Sequence, residues 1–97
     1  MSAYLVVDIS DLNPSEMAEY GEAVGPLVVA HGGSVLAADE NPMVLEGQWN
    51  NRILLLSFPS KKHIHDFFSS PEYAPLKERR RKNSIGRSVA FDALPEA

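Results

Sequence analysis

The stretch Arg52–Phe58, RILLLSF, constrains the fold more than any other part of the chain. Side chains alternate along a strand, so Leu54, Leu56 and Phe58 point one way while Ile53 and Leu55 point the other. Both faces are apolar, and both must be covered. A helix layer covers one face of a small sheet, so something else must cover the second. Tyr4–Ile9 has the same character, with Leu5, Val7 and Ile9 opposite Tyr4, Val6 and Asp8. Two strands with bulk on both sides belong at the centre of a sheet.

The segments between them set the order of elements. Asn13-Pro14-Ser15-Glu16 announces a helix: Asn13 suits the N-cap, Pro14 the first turn, and Glu16 the third position of a capping box. Met17, Tyr20, Val24, Leu27, Val28 and His31 follow at helical spacing. Pro26, beside Gly25, predicts a kink or restart, because proline removes a hydrogen bond and crowds the preceding turn. Gly32-Gly33 ends the helix. Ser34–Ala38 reads as a short strand, residues 39–42 as a turn, and Met43–Glu46 as a resumption of the strand. Residues 48–51 then form a hairpin connection, with Asn50-Asn51 tolerating positive φ. Ser60 caps a second helix with Ile64, Phe67 and Phe68 on its apolar face. That helix breaks at Ser70-Pro71-Glu72-Tyr73 and restarts to about Lys82. Ile85–Phe91 is the last strand, and the tail Asp92 to Ala97 is expected to be loosely held.

The order β-α-β-β-α-β is the split unit of ferredoxin-like folds, in which the first and third strands are central in an antiparallel sheet with the helices on one face. The strands with two apolar faces are the first and third, so pattern and topology agree. The predicted architecture is α+β, one domain spanning residues 1–97, with a four-stranded antiparallel sheet. Its uncovered face wants a second copy of the chain, giving a homodimeric α/β barrel.

Composition narrows the function classes. The chain has no cysteine, which excludes disulfides and thiolate chemistry. The N-terminus lacks a basic signal region, and no apolar run reaches the length of a membrane span, so a cytoplasmic protein without membrane contact is expected. Eight acidic residues and no Lys or Arg precede Arg52 (−8), whereas nine basic residues meet five acidic ones from Arg52 onward (+4). The two halves are expected to lie against each other, within one chain or across a dimer. The basic run Lys77–Lys82 carries no interleaved aromatics or recognition motif, and cations favour a helix's last turns, so nucleic-acid binding is not expected.

Gly32-Gly33, Leu45-Glu46-Gly47 with Trp49, Arg52, Phe58-Pro59-Ser60, Ser70-Pro71-Glu72-Tyr73 and Arg80 stand in the order and spacing of a bacterial family, number thirteen-thirty among the domains of unknown function. The chain resembles that family over roughly Tyr4 to Phe91. It departs from it in having Phe67 where Trp is common, and His63 and His65 where residues are small or mixed. The resemblance implies a ferredoxin-like protomer in the dimeric α/β-barrel superfamily. That superfamily includes cofactor-free monooxygenases, lactone isomerases, haem-degrading enzymes and stress-response barrels, so it implies no one chemistry.

Several residues are candidates for a site. Glu46, near Arg52, could bind or deprotonate a small substrate, or could pair with Arg52 across the hairpin. Arg80 lies two helical turns after Tyr73 on the same face. It could receive a ligand carboxylate, though pairing with Glu16, Glu19 or Glu22 is preferred. Tyr20 and Tyr73 suit core-edge packing or a ligand hydrogen bond, and Trp49 and Arg52 complete the ligand-binding set. His31, at a helix end, suits capping better than base catalysis. Asp8 is a partly buried carboxylate with a catalytic role if its face meets a partner, and a solvated one if it ends the strand. His63 and His65, two apart on a helix, cannot share a metal, and no cofactor or metal is expected. The first functional expectation is therefore a small-molecule binder using the cleft between sheet and helices. The alternatives are a cofactor-independent oxygenase or isomerase acting on a small organic or aromatic molecule, and a structural dimer without ligand.

Overall fold

Arg52–Phe58 forms a strand in the middle of the sheet, where its two apolar faces require it to be. In the computed structural model, which describes residues 2–95, the elements are β1 (Ala3–Asp11), α1 (Pro14–Ala30), β2 (Ser34–Asp39), β3 (Arg52–Phe58), α2 (Lys61–Ser69), α3 (Ala74–Asn83) and β4 (Ser84–Asp92). The four strands make an antiparallel sheet in the order β2-β3-β1-β4. β1 and β3 pair with Leu5 opposite Leu56 and Val7 opposite Leu54, so both present the same apolar set to the helices.

The core lies on that face. Ala3, Leu5, Leu56 and Phe58 meet Val28 of α1, Ile64 and Phe67 of α2, and Tyr73 at the turn before α3. Gly33 is placed by this packing: a Cβ there would stand 2.7 Å from the Phe58 ring and 2.8 Å from Val28. Only a bare Cα lets the chain turn from α1 into β2 so close to the core. Its neighbour Gly32 takes φ +81, the left-handed conformation that closes a helix C-terminus.

The opposite face of the sheet carries Tyr4, Val6, Ile53 and Leu55 at its centre and Ile85, Val89 and Phe91 on β4. The β4 side chains are exposed. No helix among the described residues is long and apolar enough to cross a membrane.

Five local expectations are corrected. α1 runs through Pro26 without interruption. Pro26 and Glu22, whose carbonyl loses its partner, are both exposed, on the side of the helix where solvent can satisfy that carbonyl. The capping box is half formed: Asn13 Oδ1 accepts from the Glu16 N–H at 3.3 Å, but the Glu16 carboxylate goes to Arg79. The Asn13 N–H instead donates to the Asn83 carbonyl at 3.2 Å.

Met43–Glu46 does not resume a strand. β2–β3 pairing ends at Asp39 opposite Ile53, and residues 40–51 form a long irregular connection with Met43 and Leu45 each 84% exposed. Nor does Asn50 or Asn51 adopt positive φ; the left-handed residue of the loop is Gly47, at +83. At the C-terminus, β4 continues through Asp92, and the Ala93 N–H donates to the Ser2 carbonyl at 2.9 Å. Glu96 and Ala97, the end of the expected loose tail, lie outside the described residues.

Candidate functional site

α1 carries glycines at 21 and 25, one turn apart, and a Cβ built on either would meet nothing within 4 Å. A helix interior disfavours glycine by about 1 kcal/mol relative to alanine, so two in line mark a place where the helix is not packed tight. Beneath them lies a cavity of about 500 Å³ between sheet and helices. Leu5, Val7, Leu54 and Leu56 form its floor, Met17, Val24 and Val28 line the α1 side, and Phe67 and Phe68 close the α2 side. The walls are overwhelmingly apolar, and the volume suits a small organic molecule.

Ser34, Arg52, Arg87 and Ser88 add separate polar groups to the lining, and one linked polar array interrupts it. Tyr20 on α1 and Tyr73 before α3 place their hydroxyls 2.9 Å apart, and Arg80 Nε donates to the Tyr73 hydroxyl at 3.1 Å. All three residues line the cavity. Burial, and next the Tyr73 hydroxyl, push the Tyr20 phenol well above the ordinary tyrosine range, outweighing the opposing pull of Arg80. Tyr20 therefore keeps its proton and acts as a hydrogen-bonding hydroxyl, not as a phenolate base.

That shift has a measurable consequence. An unfolded tyrosine loses its proton near pH 10. The folded chain retains the Tyr20 proton, so the group costs no stability below about pH 10 and destabilises the fold increasingly above it. Urea midpoints of the wild type should fall more steeply from about pH 9 to about pH 11 than those of Tyr20→Phe. Parallel slopes would show that Tyr20 ionises normally.

Arg79, not Arg80, pairs with the acidic helix, at 2.9 Å from Glu16 and 2.8 Å from Glu19. Successive helix residues are turned by roughly 100°. With Arg79 facing the edge of α1, Arg80 faces inward.

Arg52 also lines the cavity, but its guanidinium is held by Asp11 at 2.9 Å, with Glu40 at 3.9 Å. Glu46 does not pair with Arg52. It sits exposed in the loop, where its backbone carbonyl accepts from Trp49 Nε1 at 2.8 Å. Trp49 lines neither floor nor wall of the cavity. It borders a separate open depression of about 550 Å³, together with Asp11, Glu40, Asn50 and Arg52.

His31 caps the C-terminus of α1, its N–H donating to the Leu27 and Val28 carbonyls and its ring edge-on to Phe67 at 5.8 Å. His63 serves the α2 N-cap through Ser60, and His65 is exposed beside Asp66. The described residues contain no group of three or more His, Asp or Glu side chains placed to hold a metal ion.

Asp8 lies on the far side of the sheet from the cavity floor. It is buried, at 2% exposure, and is not a solvated strand end. Its carboxylate accepts from the Asn50 N–H at 2.9 Å, from Asn50 Nδ2 at 3.2 Å and from Arg87 Nε at 2.9 Å. Arg87 in turn lies 4.7 Å from the centre of the Trp49 ring and donates to the Gln48 carbonyl at 2.9 Å. A carboxylate so fully engaged is a clamp for the long loop. The sequence contained no local signal for it, because Asn50 and Arg87 are far from Asp8 along the chain. Gly21 and Gly25 were the legible signal for the cavity.

The chain belongs to the family described as a domain of unknown function, DUF1330, whose model matches residues 2–94. Among curated proteins, none matches. A solved protein of unknown function from Rhodopseudomonas palustris is similar, with TM-score 0.79 and 16% identity over 98% of this chain and 84% of that one. SnoaB, a cofactor-independent oxygenase from Streptomyces nogalater, is similar with TM-score 0.70 and 14% identity over 98% of each chain. A dimeric ferredoxin-like protein of unknown function from Thermobifida fusca has TM-score 0.66 and 9% identity, covering 96% of this chain and 92% of that one. At these identities the likeness is one of fold.

Proposed function

We propose that this member of the DUF1330 family binds a small organic molecule in the cavity between sheet and helices, and does so as a homodimer. The observation that carries the reading is the cavity itself: about 500 Å³ of apolar space with the Tyr20–Tyr73–Arg80 array in its wall. The space is a cleft open on one side, bordered by the exposed Gly21, Gly25 and Val35, so a small molecule can reach it from solvent. The homodimer reading rests on the sheet face opposite the helices, where Ile85, Val89 and Phe91 are exposed beside Val6 and Leu55. A similar fold is described as dimeric in Thermobifida fusca. Two copies packed face to face would remove both apolar surfaces from water.

A cofactor-independent oxygenase or isomerase is the second reading. It is favoured by the hydroxyls and guanidinium facing the cavity, which would stabilise an oxyanion, and by the fold shared with an oxygenase. Such chemistry also needs a base. Tyr20 is shifted the wrong way for that work, which places binding ahead of catalysis.

Native mass spectrometry of the purified protein tests both parts. The expected spectrum is a dimer carrying a small passenger that denaturation releases. A dimer that arrives empty, and takes up neither naphthalene-2-carboxylate nor decanoate when offered, would make the cavity a structural void. A monomer at micromolar concentration would overturn the dimer.

A further inference from the structure

The geometry points to a specific ligand class for the cavity: a hydrophobic monocarboxylic acid whose carboxylate is received by Arg80 and the Tyr20–Tyr73 pair. The inference rests on the binding reading above and narrows it by counting donors and acceptors. Two phenols bring two hydroxyl hydrogens, and the single Tyr20–Tyr73 hydrogen bond uses one of them. Tyr73 also accepts from Arg80 Nε, so whichever phenol donates to the other, one O–H remains without a protein acceptor among the described residues. The Arg80 guanidinium has five N–H donors, of which only Nε–H is engaged by a side chain.

The other partly buried or engaged arginines make the contrast. Arg52 is matched by Asp11, Arg79 by Glu16 and Glu19, and Arg87 by Asp8. Arg80 is half-buried and has no carboxylate within 4 Å among the described residues. Of the acidic residues of α1, Glu16 and Glu19 are held by Arg79 on the neighbouring azimuth, and Glu22 does not reach Arg80. The array is therefore rich in donors, positively charged and without a protein anion, at the edge of an apolar chamber. A planar carboxylate supplies two acceptor oxygens and the missing charge, and guanidinium binds that shape through paired N–H donors. The rest of the ligand must be largely apolar, because the remaining wall is mostly Leu, Ile, Val, Met and Phe side chains. The two other arginines on it, Arg52 and Arg87, are already matched by Asp11 and Asp8. A polyanion or a sugar phosphate fits badly, since with those two matched the one unmatched cation and one free hydroxyl answer only one acidic group.

The test compares acids with their neutral isosteres on the purified full chain: naphthalene-2-carboxylate against naphthalene-2-carboxamide, and decanoate against decanamide, by isothermal titration. Each acid should bind about 10- to 100-fold tighter than its amide. Arg80→Gln should reduce that preference to less than about threefold. Tyr20→Phe, which keeps the ring and removes one hydroxyl, should reduce it partially and guards against an Arg80 variant that fails to fold. Equal affinities of acid and amide for the wild type would overturn the carboxylate assignment while leaving the cavity as a binding site. Binding of neither acids nor amides would overturn the cavity reading, and the assignment with it.

Discussion

Phe58→Ala is expected to lower the unfolding free energy by about 3–5 kcal/mol, the cost of removing a buried aromatic ring and leaving a void. Phe58 is 1% exposed and ends β3 beneath the helices, with the Phe67 ring centre 5.8 Å away. Its nearest small neighbours cannot grow into the space. Ala3 is its register partner on β1, and Gly33 has no side chain at all. The surrounding backbone is held by β1 on one side and β2 on the other, so collapse of the void is resisted. The measurement is the urea midpoint and slope at a fixed protein concentration, because dimerisation would add concentration-dependent stability. A loss below about 1 kcal/mol would mean that the ring is not part of a close-packed core.

The second large effect is expected at Asp8. Asp8→Ala should cost about 2–3 kcal/mol, through loss of three hydrogen bonds to a buried carboxylate. The figure stays below that for breaking a fully buried ion pair because the Arg87 side chain is 60% exposed and can turn to water. The effect has a local signature as well. Asn50 would lose the carboxylate acceptors of its N–H and Nδ2 together, keeping only the Asp8 carbonyl at 3.3 Å from Nδ2, and Arg87 would lose the carboxylate that holds it over Trp49. Hydrogen exchange in residues 48–51 should therefore quicken beyond what global destabilisation explains, while the amides of β1–β3 pairing follow the global change. Unchanged exchange in that loop would show that Asp8 does not anchor it.

Several residues of the candidate site were visible one by one in the chain, but not as an arrangement. Tyr20, Tyr73, Arg80 and Arg52 all line the cavity. Glu46 and Trp49 lie apart from it, since the segment expected to carry Glu46 along the sheet is an irregular loop. The choice between Arg79 and Arg80 could not be made from spacing. The two residues sit in one basic run, and a rotation of the helix by a single position exchanges their partners. Likewise the pairing of Glu46 with Arg52 was reasonable for a tight hairpin and failed because the connection is not tight. Asp11 and Glu40 reached Arg52 first.

The sequence by itself determined the central strands, the order of elements and the caps. Two-residue alternation, 3.6-residue periodicity and the hydrogen-bonding habits of Asn13, Ser60 and Gly32 act over a few neighbouring residues, where the chain is its own context. Only the tertiary structure decided which arginine faces the cavity, what becomes of the Asp8 carboxylate, and how the connection from β2 to β3 runs. These outcomes depend on contacts between residues some 40 to 80 positions apart along the chain, such as Asp8 with Asn50 and Arg87. An ion pair or a hydrogen bond needs its partner within about 3–4 Å, and no local pattern specifies which distant residue arrives there.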